Sequence, residues 1–248
     1  MFGNHFYHST MRKAVAVFGT IFNNINVIRT KADGTVLNQI KVPLSYGPKQ
    51  KFLARLDQAS GADASMAMKL PRMAFEIASL ELDSTQKLGK RNTITESHAA
   101  DVTKKKTIKH QVAYNINVSL FVMAKNQDDG LQVVEQILPY FQPEYTVTIS
   151  PVEGFAYKQD VPIILTGVNI SDDYEGDMLT RRALIYQLDF TMKMKFFGPT
   201  GNQGVIREVA VDLNGDPSNV NVLENMAFNI TPSNADEDDD YSVTTTIT

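Results

Sequence analysis

Residues 133–149, VVEQILPYFQPEYTVTI, combine the sequence patterns of a helix, a turn and a strand in one short stretch. Asp128 and Asp129 precede it at positions typical of a helix cap, and apolar residues then recur at roughly helical spacing. Pro139 has no N–H to donate and crowds the preceding turn, so the helix is expected to end just before it. Residues 146–149 then have the composition of a β-strand. The stretch therefore predicts a short amphipathic helix that turns at the proline and continues as a strand.

Helical and strand patterns alternate on both sides of this stretch. The clearest strand is 107–125, because its even-numbered residues from Val112 to Val122 are apolar or aromatic while residues 115, 117 and 119 are polar. The other predicted elements are a helix at 10–22, a hairpin of 23–29 and 35–44 turned at Asp33-Gly34, a helix after Pro48, and strands at 73–82, 161–171 and 183–197. This order predicts one α+β domain over residues 1–198, with an antiparallel or mixed sheet and the helices on one face.

Two parts of the chain lack this periodicity. Residues 84–106 are polar and poor in large apolar residues, so we interpret them as a long polar loop. Residues 199–248, the C-terminal arm, contain five consecutive acidic residues at 236–240 followed by a β-prone end. Alternate side chains of that end form one side of a predicted strand that has no sheet of its own. They are Tyr241, Val243, Thr245 and Ile247.

Composition excludes several classes of protein. The 248 residues include no cysteine, which excludes disulfides, thiolate metal sites and cysteine nucleophiles. The formal net charge is −4, whereas a dedicated nucleic-acid-binding domain usually carries a basic excess. No apolar run approaches the roughly 18 to 20 residues that span a bilayer, so no membrane association is expected.

Motifs that would support chemistry are incomplete. His5 and His8 lie three residues apart but lack a third metal ligand. Residues 212–224 begin like a calcium loop, yet Pro217 stands where glycine is needed and Leu223 where a bidentate glutamate is needed. The sequence therefore predicts no catalytic residue, no metal site and no cofactor.

Two charged segments leave alternative functions open. An enzyme could use the acidic turn at 172–177 for general acid–base chemistry, although nothing fixes two carboxylates at a defined separation. A nucleic-acid-binding module could use Lys104, Lys105, Lys106 and Lys109, with Lys87, Lys90 and Arg91 nearby. No aromatic residues interleave with these basic residues to stack on bases. We therefore favour a solvated loop or a protein-docking patch for the lysines.

Three stretches resemble a known family. They are FGNHFYHSTMRKAVAVFGTIFNNINVIR near the N-terminus, residues 133–149, and DDYEGDMLTRRALIYQLDFTMKMKFFGP. Together they are similar to the tail sheath stabiliser and completion proteins, or tail terminators, of T-even-like contractile-tailed bacteriophages. The most specific feature is the helix that ends in Leu-Pro-Tyr-Phe-Gln-Pro. The resemblance covers residues 1–56 and 108–198, and it does not extend to 84–106 or beyond Pro199.

This resemblance implies a structural protein of the virion, assembled in the host cytoplasm. The expected assembly is a homohexameric ring at the head-proximal end of the tail. The ring would cap the last ring of tail sheath protein, lie beside the tail tube terminator and dock the neck proteins of the head. Viral DNA would pass through the lumen without specific binding, in agreement with the acidic balance of the chain.

The resemblance also leads to two hypotheses about contact residues. Tyr140, Phe141 and Tyr145, the aromatic elbow, either form a subunit boundary or complete the core of their own domain. Sheath subunits of contractile tails resemble one another in exchanging terminal strands. Residues 241–247 are therefore expected to fill an open strand position in the terminal sheath ring or in a neighbouring subunit.

Overall fold

The computed structural model describes residues 5–31, 33–58, 70–86, 89, 93–97, 104–109, 111–173, 183–204, 208–214, 222–231 and 242–247. Three α-helices and fourteen strands form within these residues. In chain order they are α1 (Thr10–Ile21), β1 (Asn26–Thr30), β2 (Val36–Lys41), β3 (Leu44–Tyr46), α2 (Lys49–Gln58), β4 (Arg72–Leu82), β5 (Thr93–Ser97), β6 (Lys104–Lys109), β7 (Val112–Ala124), α3 (Gln127–Ile137), β8 (Glu144–Ile149), β9 (Gln159–Asp173), β10 (Ala183–Phe196), β11 (Thr200–Gly204), β12 (Glu208–Asn214), β13 (Val222–Thr231) and β14 (Ser242–Ile247).

The chain divides into two compact units. The larger unit comprises Tyr7–Leu88 and Val112–Phe196, and the smaller unit comprises Met1–Phe6, Gly89–Gln111 and Phe197–Thr248. This division differs from the expected domain 1–198 and arm 199–248. The reason is that β6 pairs with β11, so part of the predicted loop belongs with the C-terminal residues.

A six-stranded mixed sheet organises the larger unit. Its strand order is β3-β4-β7-β10-β9-β8, with β3 and β4 parallel and every other neighbouring pair antiparallel. β7 and β10 pair along their whole length, from Val112 opposite Phe196 to Ala124 opposite Leu184. The alternation of apolar residues had predicted both strands but not their pairing, and the α+β class is confirmed.

The main core lies where α1 and α3 cover one face of this sheet. Phe18 of α1 packs its ring 5.3 Å from that of Phe190 and 5.1 Å from that of Phe75, between centroids. Val133 and Ile137 of α3 belong to the same buried cluster. Aromatic rings at such distances bury large apolar surfaces and fix the helices on the sheet.

The second helix lies on the opposite face. Phe52 of α2 packs in a separate cluster with Phe121 and Met123 of β7, whereas Leu120 and Val122 belong to the main core. Successive strand residues point to opposite faces, so α2 and the other two helices lie on different sides of the sheet. The prediction of helices on one face holds for α1 and α3 and is wrong for α2. The cause is that this end of β7 is buried on both faces.

Two three-stranded antiparallel sheets belong to the smaller unit, with orders β11-β6-β5 and β12-β13-β14. The interpretation of 84–106 as a loop is therefore wrong for 93–97 and 104–106, which form strands. The C-terminal arm likewise contains strands, and its last strand pairs with β13 over Met226–Thr231. The expectation that this end has no sheet of its own is wrong, because β13 supplies the partner. The acidic block at 236–240 lies outside the described residues.

Candidate subunit and partner interfaces

An open apolar groove of about 860 Å³ lies between α1, the end of α3 and β8. Its walls are formed by the second half of α1 with the turn after it, by the aromatic elbow, and by two residues of β8. Tyr145 and Val147 are the β8 residues, and Glu135 of α3 is the one charged residue in the lining. A concave, mostly apolar surface of this size is typical of a binding site.

The aromatic elbow connects α3 to β8. α3 ends at Ile137, next to the position that Pro139 had predicted. A single 3-10 turn at Leu138–Tyr140 follows. The chain then reaches β8 through Gln142 and Pro143, whose peptide bond is cis.

The three elbow aromatics differ in burial. Phe141 is 9% exposed, and its ring lies 5.1 Å from that of Phe190 and 6.1 Å from that of Phe22. Tyr140 is 69% exposed and Tyr145 is 40% exposed. Phe141 thus belongs to the domain core, while the two tyrosines border the groove and are available for contact with another chain.

The β1–β2 hairpin is attached to α3 by polar side chains. Arg29 of β1 donates two hydrogen bonds to the carboxylate of Asp129, at 3.2 and 2.6 Å, and Asp129 is almost fully buried. This contact raises the pKa of Arg29, mainly through the hydrogen bond. Asp129 had been interpreted as part of a helix cap, but Asn126 occupies the N-cap position.

Two glutamine side chains of α3 form hydrogen bonds with main-chain groups on the outer edge of β1. Gln132 Oε1 accepts a hydrogen bond from the Ile28 backbone N–H at 3.1 Å, and Gln136 Nε2 donates to the Asn26 carbonyl at 2.8 Å. These bonds occupy main-chain groups that would otherwise be open to another strand. The outer edges of β2 and β8 have no strand partner within the described residues.

The C-terminal sheet has one apolar face. Residues directly opposite each other in neighbouring antiparallel strands share a face, so the register places the apolar residues of β12, β13 and β14 together. They are Val209, Val211, Leu213, Met226, Phe228, Ile230, Val243 and Ile247. Glu224 and Thr245 lie on the same face, opposite Leu213 and Phe228. The apolar members from β12 and β14 are between 39% and 55% exposed, and those from β13 are half-buried. We call this surface the apolar face.

The other face of the C-terminal sheet is small and polar. It carries Ala227, Asn229, Thr244 and Thr246, which alternate with the members of the apolar face. Val243, Thr245 and Ile247, predicted as contact residues, lie together on the apolar side, whereas Tyr241 lies outside the described residues. Sequence analysis missed the contributions of β12 and β13, although both alternate apolar and polar residues.

The predicted lysine patch lies within strand β6. Lys104, Lys105 and Lys106 are consecutive in the strand, so they point alternately to its two faces and do not form one basic surface. Glu96 of β5 lies directly opposite Lys106, which places an acidic side chain beside that lysine. This arrangement is poorly suited to following a nucleic-acid backbone.

The other candidate motifs do not assemble into a site within the described residues. Asp172 and Asp173 end β9, and the rest of the acidic turn lies outside the described residues. Asp212 and Asn214, the start of the calcium-like motif, belong to strand β12 and not to a loop. The described residues contain no group of three or more possible metal ligands. None of their helices has the length and hydropathy that crossing a membrane requires.

Comparison with known proteins gives a consistent match. A family described as T4-like virus Myoviridae tail sheath stabiliser matches residues 5–248. The tail completion protein gp15 of Enterobacteria phage T4 is 27% identical over 253 residues, which cover 96% of this chain and 90% of the relative. The family match includes residues 84–106 and those after Pro199, to which the resemblance noted from the sequence did not extend. Because the match spans nearly the whole length, the chain belongs to the tail sheath stabiliser family of T4-like myoviruses.

Proposed function

We propose that this chain, a structural protein of the tail of a phage virion, forms a closed homohexameric ring at the head-proximal end of the tail. The ring caps the last ring of sheath subunits, lies beside the tail tube terminator and presents a docking surface to the neck proteins of the head. Viral DNA passes through its lumen without specific binding, in keeping with the net charge of −4. The family consists of structural tail proteins, which argues against an enzyme.

The apolar face is the observation that carries this proposal. Its eight side chains leave apolar surface open to water in the single chain. The largest apolar patch on the surface of a typical monomer is roughly 300–600 Å², and such patches are often functional. In a family of sheath stabilisers, we assign this face to the terminal sheath ring.

This assignment changes how the C-terminal strand makes contact. β14 already has a ladder partner in β13, so it is not a lone strand that waits for a sheet. Contact through the apolar face uses Val243, Thr245 and Ile247 as side-chain contacts and leaves the β13–β14 ladder intact.

The groove and the exposed tyrosines of the aromatic elbow provide the contact between ring subunits. Tyr140 and Tyr145 combine an apolar ring with a hydroxyl, which suits a surface that is wet in one state and covered in another. A ring needs such a surface because each copy must bury part of itself against its neighbour.

The assembly is tested by measuring the mass of the purified protein in solution. Light scattering across a range of concentrations, with and without assembled sheath, should give a species of six chains of 27.6 kDa each. Class averages from electron microscopy should show a six-fold ring. Monomer under every condition would refute the ring.

The sheath contact is tested with two substitutions in one strand. Val243→Glu places a charge on the apolar face, and Thr244→Glu places the same charge on the opposite face at a position that is also exposed. The first should lower retention on assembled sheath by about tenfold or more, because an unpaired charge must be desolvated at the contact. The second should retain normal binding. Equal binding by the two variants would contradict the assignment of the apolar face.

A further inference from the structure

The groove lies beside an open edge of the six-stranded sheet. β8 is the last strand of that sheet, and no strand of the described chain pairs with its outer side. Tyr145 and Val147 of β8 line the groove together with α1 and the aromatic elbow. A strand added beside β8 would extend the ladder through main-chain hydrogen bonds and would place alternate side chains in the groove. The groove is therefore shaped for an extended segment.

Another open edge of the larger unit, besides that of β3 at the far side of the six-stranded sheet, belongs to β2. This strand pairs with β1 alone within the described residues, and its side chains Val36 and Leu37 are 63% and 61% exposed. Folded proteins usually block open edges with prolines, inward charges or covering side chains. The glutamines of α3 block the edge of β1 in this way, but no corresponding hydrogen bonds cover β2 in the described part of the chain. One edge of the hairpin is protected and the other is exposed.

The open edges of β8 and β2 carry opposite charge. The segment 127–149, which contains α3, the elbow and β8, has four acidic residues and no basic residue. The hairpin segment 26–41 has three basic residues and one acidic residue. The Arg29–Asp129 pair uses one charge of each sign within the chain. Exposed Glu135 and Glu144 remain beside the groove, and exposed Lys31 and Lys41 remain on the hairpin.

The two strands also match in length. β2 and β8 have six residues each, which allows about six main-chain hydrogen bonds between them. The apolar side chains at the start of β2 provide surface that the groove can bury. These properties fit another copy of the same chain as the occupant of the groove.

We propose that the outer edge of β2 in one copy adds to the outer edge of β8 in the next, so that the hairpin covers the neighbour's groove. This inference rests on the proposed ring and identifies the contact that closes it. Each copy supplies one donor edge and one acceptor edge, which is the head-to-tail arrangement that a cyclic assembly requires. A contact of this kind repeats around the ring without leaving a free β2 or β8 edge at either end.

Engineered disulfides test this contact without background, because the chain has no cysteine. Thr146→Cys in β8 is combined in one chain with Leu37→Cys, Asn38→Cys or Gln39→Cys in β2. All four positions are exposed, and the three combinations test three registers of the β2–β8 pairing. Mild oxidation followed by denaturing electrophoresis should give, for one pairing, a ladder of bands up to six chains. The four single variants are the controls and should not give bands above two chains. Thermal unfolding followed by circular dichroism checks that each variant is folded.

A charge substitution provides an independent measurement. Glu144→Lys should weaken self-association about two- to fivefold, because it places like charges at the β2–β8 contact. Glu153→Lys, a change at another exposed glutamate that lies in the loop after β8 and not in the strand, should leave self-association unchanged. The comparison separates an effect at the contact from a general effect of net charge.

The outcomes distinguish this contact from the ring itself. A hexamer that persists while no cysteine pair gives a ladder would overturn the β2–β8 contact and leave the ring proposal intact. Disulfides that join this chain to sheath protein, and not to another copy, would assign the groove to a different occupant. That result would also overturn the β2–β8 contact. A chain that remains monomeric in every test would overturn both proposals.

Discussion

Phe141 and Tyr140 are adjacent residues with opposite expected roles, and this contrast tests the structure of the aromatic elbow. Phe141→Ala removes a ring that is 9% exposed and lies within 6.2 Å, between centroids, of the rings of Phe22, Phe190 and Tyr145. Truncation of a buried phenylalanine usually costs about 3–5 kcal/mol of unfolding free energy. Because Phe141 also borders the open groove, water can fill part of the space, and we expect the lower end, about 3 kcal/mol.

Tyr140→Ala should leave the free energy of unfolding within about 0.5 kcal/mol of the original value, since the side chain is 69% exposed. The assay is urea unfolding at a concentration where the chain is monomeric, followed by circular dichroism because the chain has no tryptophan. The same Tyr140→Ala protein should then show weaker ring formation. A loss of stability from Tyr140→Ala as large as that from Phe141→Ala would refute the assignment of one ring to the core and the other to the surface.

Two further changes test packing and a turn in the larger unit. Gly130→Ala would place a Cβ atom against the ring of Tyr186, and the overpacking should cost about 1–3 kcal/mol in thermal or urea unfolding, whereas Gly167→Ala, which meets no atom within 4 Å, should have little effect. Hydrogen bonds from Thr85 lower the pKa of Asp83, so the carboxylate contributes stability at neutral pH that is lost as pH falls below about 4. The stability difference between the original protein and Asp83→Asn should therefore shrink on acidification, and a difference that stayed constant from pH 7 to pH 2 would contradict this interpretation.

The elbow could be predicted from sequence because its causes are local. Pro139 ends α3 through a missing donor and a steric clash, both of which depend only on neighbouring residues. The buried side of the helix was harder to predict. Leu131 and Leu138 are exposed whereas Val133 is buried, although all three are apolar, so the apolar spacing alone does not specify which side chains meet the sheet.

The smaller unit shows what sequence patterns do not contain. Residues 104–106 are three lysines, which favour a solvated loop on composition alone, yet β5 and β11 pair with them from distant parts of the chain. Strand formation depends on such cross-strand partners more than on intrinsic preference. The strand character of residues 242–247 was predictable from their β-branched residues, but the identity of β13 as its partner was not.

The glutamines of α3 also set how many neighbours one hairpin can bind. A two-stranded ribbon has two outer edges and so, without protection, could pair with two other strands at once. Gln132 and Gln136 occupy the β1 side from within the same chain, so one edge of the hairpin, that of β2, is left to pair with another strand. Subunits with one donor and one acceptor can form only unbranched chains, and an unbranched chain either closes on itself or keeps growing. The helix that supports the hairpin therefore prevents branching through this element.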